Sequence, residues 1–103
     1  MNDQNQKQEL KIEINEQEAE GVYSNLVIVS HSDSEFILDF ARMLPGKPKA
    51  KVHSRVIMNP KNCKLFLNAL LDNINKFETK FGKIPSPTGH GPMITGEGTP
   101  NIQ

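Results

Sequence analysis

The apolar positions of this chain change period once, from two to between three and four. Leu10, Ile12 and Ile14 alternate with Lys11 and Glu13, the pattern of a half-buried strand, and the acidic EQEAEG that follows ends in a turn-permissive glycine. Residues 22–30 are rich in β-branched side chains and too apolar to alternate cleanly, which predicts a central strand. Ser32, Asp33 and Ser34 favour a turn. Residues 35–43 predict a third strand, with Phe36, Leu38 and Phe40 on one side and Ile37, Asp39 and Ala41 on the other. LPGKPKA interrupts it with two prolines and a glycine, and residues 51–58 predict a fourth.

From residue 60 the period becomes helical. Asn59 can cap free amides and Pro60 is preorganised for the first helical position. Cys63, Phe66, Leu67, Leu70, Ile74, Phe77 and Phe81 then recur three and four apart, and Gly82 supplies a stop. The prediction is an α+β fold: a four-stranded antiparallel meander followed by one long C-terminal amphipathic helix on one sheet face. Residues 9–84 form this single domain, between a flexible start at 1–8 and a flexible or extended Pro/Gly-rich tail at 85–103.

A register follows from the turns. With the first hairpin centred on Asp33, Leu26 faces Phe40, Ile28 faces Leu38 and Ser30 faces Phe36. With the second centred near Lys47, Phe36 faces Met58, Leu38 faces Val56 and Asp39 faces Arg55. The helix stripe is expected to cover the side bearing Leu26, Phe36, Leu38 and Phe40. The opposite side then holds Tyr23, Asn25, Val27, Val29, Ile37, Asp39, Arg55 and Ile57, too apolar to stay in water. These eight residues are the expected interface for a homodimer or higher homo-oligomer, or for another protein partner.

Length supports that expectation, since a 103-residue chain with polar ends has a small core. Charge divides the chain although its sum is zero. The first twenty residues carry −4 and the next twenty-one −3, whereas residues 42–83 carry +8. Such a basic segment can track a phosphate backbone, and Lys47, Lys49, Lys51 and Arg55 are its candidate nucleic-acid contacts. A solvated face, or one neutralised by the acidic start, is the preferred account because only one aromatic, Phe66, follows nearby.

Other chemistry is thin. Ser30, His31, Ser32, Asp33, Ser34 and Glu35 have hydrolase residue types on one hairpin, but turn chemistry explains them without an oxyanion hole or cleft. His31, His53 and His90 are dispersed and predict no metal site; no cofactor is expected. The lone Cys63 cannot form an internal disulfide, and no run approaches the ~18 to 20 apolar residues that cross a bilayer. A cytoplasmic protein without a membrane partner and without enzymatic activity is the expectation.

The stretches GVYSNLVIVSHSDSEFILDFARMLPG and AKVHSRVIMNPKNCKLFLNALLDNINKFETKFGKI resemble a family of small bacterial and archaeal proteins labelled a domain of unknown function. The matching positions are Tyr23, Asn25, His31, Ser34, Glu35, Phe36, Asp39, Phe40, Arg55, Asn73 and Gly82. That resemblance implies no activity. The order of elements is also similar to the export chaperone SecB, in which an antiparallel sheet precedes a helix and subunits assemble through their sheets. The expected function is a homo-oligomeric binding or adaptor module acting through the second sheet face, and a chaperone-like role is what the similarity implies.

Overall fold

A computed structural model describes residues 9–85 and 93–95. A five-residue helix, Glu16–Glu20 (α1), stands before three antiparallel strands at Leu26–His31 (β1), Phe36–Met43 (β2) and Ala50–Met58 (β3). A 22-residue helix, Pro60–Phe81 (α2), follows, and Met93–Thr95 (β4) lies parallel to β1, giving the order β3-β2-β1-β4. The antiparallel part thus has three strands before the helix rather than four. Leu10–Ile14, expected as the first strand, pairs with nothing among the described residues, and the acidic run is a short helix. Residues 1–8, and all of the tail 85–103 except residues 85 and 93–95, lie outside the described residues.

Each remaining boundary has a local cause. Ser32 Oγ accepts the amides of Ser34 and Glu35 at 3.2 and 3.3 Å, while the Ser32 amide donates to Glu35 O at 2.9 Å. This closes a four-residue loop, so His31 pairs with Phe36 and their rings stack at 5.4 Å. At the second turn Lys47 N donates to Leu44 O at 3.1 Å, with Pro45 and Gly46 between. Gly46 has φ 76°, which the third position of such a turn demands.

The four-residue loop corrects the expected register of the first hairpin. Leu26 faces Ala41, Ile28 faces Asp39 and Ser30 faces Ile37, one residue away from a turn centred on Asp33. Because strand side chains alternate, that slip exchanges the two sides of β1. The second hairpin runs as expected from Phe36↔Met58 to Phe40↔Ser54, then a bulge leaves His53 extra and pairs Ala41 with Val52.

α2 begins and ends where its capping residues stand. Asn59 Oδ1 accepts the Asn62 amide at 2.7 Å, and Pro60 opens the first turn. At the other end the Gly82 amide donates to Glu78 O, and Glu78 Oε2 accepts the Ile84 amide at 3.0 Å. Gly82 has φ 106°, outside the range L side chains favour. The helix sits over Val29, Phe36 and Leu38 with a cavity of about 270 Å³ between them, lined also by Cys63, Phe66, Leu67 and Leu70.

Candidate functional site

Two surfaces carry what chemistry this domain has. The first is the sheet face turned away from α2, and its centre is ionic. Asp39 and Arg55 are directly paired across β2 and β3. Arg55 Nε donates to Asp39 Oδ1 at 2.7 Å and Nη2 donates to Oδ2 at 2.9 Å. Asp39 is fully buried while the Arg55 side chain is 48% exposed, so the guanidinium spans from the sheet to solvent. The hydrogen bonds and charge of Asp39 raise the Arg55 pKa above its already high ordinary value, against a smaller opposing effect of burial. The guanidinium therefore keeps its charge across the physiological range.

Around that pair the same face carries Leu26, Ser30 and Ala41, all buried, with Ile28 and Ile37 half-buried and Ile57 exposed. Ser30 Oγ has no hydrogen-bond partner among the described residues. Of the eight expected interface residues, Ile37, Asp39, Arg55 and Ile57 share this face. Val27 and Val29 do not: the one-residue slip moves them to the α2 side, where Val29 lines the cavity under the helix. Their place is taken by Leu26, Ile28 and Ser30.

Asn25 and Tyr23 precede β1. Asn25 Nδ2 donates to Met43 O at 3.0 Å and its Oδ1 accepts the Met43 amide at 2.8 Å, so the side chain stands in for a strand partner at the end of β2. Ser24 Oγ donates to Ala41 O at 2.9 Å beside it. This clamp was not legible in the sequence beyond the polarity of Ser24 and Asn25. Tyr23 is exposed.

The second surface is basic. Lys47, Lys49 and Lys51 line a groove of about 380 Å³ with Arg42, Leu44, Pro48 and the bulged His53. Arg55 is not among these residues, since it is committed to Asp39. His31, Ser32, Ser34 and Glu35 are occupied by turn and stacking contacts as described, and Asn73 Nδ2 donates back to Ala69 O at 3.1 Å on its own helix. No group of three or more His, Cys, Asp or Glu side chains converges on a metal position among the described residues. Cys63 is a half-buried free thiol, and no described helix is long and apolar enough to cross a membrane.

The apolar stripe of α2 is the feature the sequence underestimated. It was expected to be covered by the sheet, yet no side chain of the helix is buried. Leu67, Leu70, Phe77 and Phe81 on the stripe are exposed, and so are Leu65 and Leu71 beside it. The cavity against the sheet is lined by Cys63, Phe66, Leu67 and Leu70, all in the first half of the helix, and the stripe continues past them to Phe77 and Phe81.

Fold and surfaces together define a small α+β domain in which a three-stranded antiparallel sheet carries one long, incompletely covered helix. The chain belongs to the family described as protein of unknown function (DUF3467), matching it over residues 1–86. No curated protein and no solved structure matches it, and the expected likeness to the export chaperone is not shown.

Proposed function

We propose that this domain is a non-enzymatic, homo-oligomeric binding module that associates through the apolar surface left by α2 and the adjoining sheet. The observation that carries this reading is the state of α2: a 22-residue helix with a seven-residue apolar stripe and no buried side chain. Monomeric domains rarely leave a contiguous apolar area of that kind in water. Ile57, 54% exposed beside the Asp39–Arg55 pair, adds an apolar position on the far face of the sheet. The polar side chains with defined geometry serve the fold: Asn25 ties two strands, Ser32 closes a turn, Asn59 caps a helix and Arg55 neutralises a buried carboxylate.

Light scattering on the full chain tests the reading. The expected mass at micromolar concentration is at least twice the 11.5 kDa of one chain. A monomer at that concentration overturns it.

The groove holding Lys47, Lys49 and Lys51 supports a second reading, a nucleic-acid-associated protein. Binding driven by these side chains weakens steeply with salt. A low-salt gel-shift titration with no complex on DNA or RNA removes this alternative.

A further inference from the structure

Resting on the oligomeric reading, we infer that the N-terminal segment Leu10–Ile14 is an exchange arm: it adds as a strand to the free edge of β3 in a second copy of this chain. Leu10, Ile12 and Ile14 have strand periodicity but no strand partner among the described residues, and they are 83, 84 and 68% exposed. Side chains of this type left in water favour any arrangement that covers them.

The matching vacancy is the outer edge of β3. In the order β3-β2-β1-β4 this strand pairs, among the described residues, on one side only, through β2. An edge of nine residues without proline presents unpaired amides and carbonyls to an incoming strand. β3 spans about 30 Å and the five residues of the arm about 17 Å, so the edge accommodates the arm completely.

Charge selects the occupant. Residues 9–20 hold Glu9, Glu13, Glu16, Glu18 and Glu20 against Lys11 alone. The edge and its approach hold Lys47, Lys49 and Lys51 with no acidic residue, Arg55 being neutralised by Asp39. Each copy owns both an acidic arm and a basic edge, so reciprocal exchange about a two-fold axis fills both edges and closes. Period two also sets the faces. With Leu10, Ile12 and Ile14 on the α2 side they extend the apolar floor beyond Val56 and Met58, which widens the sheet under the helix.

The test uses the full chain and two variants, Ile12→Pro and Phe77→Glu, followed by light scattering and hydrogen exchange of residues 10–14. Proline at position 12 removes an amide a ladder needs and resists the strand. The expected result is an oligomeric wild type with protected arm amides, and an Ile12→Pro variant that retains its circular dichroism but associates at least tenfold more weakly. An Ile12→Pro variant of unchanged mass, with Phe77→Glu monomeric, overturns arm exchange and leaves the helix-mediated reading standing. A wild-type monomer overturns both, and one with protected arm amides shows that the arm folds onto its own β3.

Discussion

Asp39 and Arg55 stand directly opposite one another on β2 and β3, the carboxylate wholly buried and the guanidinium half in water. The asymmetry matters because losing either partner has a different consequence. Arg55→Ala strands a buried charge, whereas Asp39→Asn leaves an arginine that can turn to solvent. Arg55→Ala is therefore the more destabilising change at pH 7, as a denaturant titration of both variants will show.

The wild-type pair has its own pH signature. Raising the Arg55 pKa stabilises the fold at every pH below the ordinary arginine value and is lost only as pH climbs through the folded one. Stability attributable to this guanidinium is thus flat between pH 6 and 9. A slope that disappears in Arg55→Lys would contradict that assignment.

Asn25 is expected to matter more than its exposure implies. Its amide bonds both backbone groups of Met43, and Asn25→Ala removes both contacts without altering either strand. A loss of about 1 to 2 kcal/mol is expected for two such hydrogen bonds. Asn25→Asp keeps the acceptor and loses the donor, so it falls between. Faster exchange of the Met43 amide in Asn25→Ala provides the local check.

The ends of α2 offer a calibrated pair of changes. Asn59→Ala removes the cap on the Asn62 amide and is expected to cost about 1 kcal/mol. Gly82→Ala forces an L side chain to φ 106° and costs a similar ~1 kcal/mol, although nothing crowds the added carbon. Thermal melts of the two variants and their combination test additivity, which ends this far apart should obey.

The contrast between helix and sheet shows what a sequence can disclose. α2 was legible to the residue because Asn59, Pro60 and Gly82 act locally, within one turn of the ends they define. The second hairpin was legible at Asp39↔Arg55 but not beside its turn: the turn sets Ala41↔Val52, and the bulge at His53 supplies the one residue that brings Asp39 opposite Arg55. The first hairpin was not: counting Glu35 in the strand instead of the loop shifts the register by one and turns β1 over. That choice depends on Ser32 accepting two amides, a geometry that Ser, Asp and Ser in a row permit but do not specify. For the candidate site this exchanged Val27 and Val29 for Leu26 and Ile28 while leaving Ile37, Asp39, Arg55 and Ile57 together. Leu10–Ile14 has the right period for a strand, yet period alone says nothing about which edge, or whose, it joins.

Phe77 separates an interface residue from a core residue. Its ring lies 5.0 Å from that of Phe81, whose face carries Lys80 Nζ at 5.4 Å, and both rings are exposed on the last turns of α2. If the stripe served only to hold the helix on its own sheet, Phe77→Glu would destabilise the fold in proportion to a buried aromatic, about 3 kcal/mol or more. As an exposed position it should instead change unfolding free energy by about 0.5 kcal/mol or less once association is accounted for. The same substitution places a carboxylate in the proposed contact, so self-association should fall by at least tenfold. Denaturant titrations at several protein concentrations distinguish the two roles. A midpoint that depends on concentration in the wild type and loses that dependence in Phe77→Glu locates the residue between copies. A large, concentration-independent drop places it in the core and removes the exposed stripe as the basis for assembly.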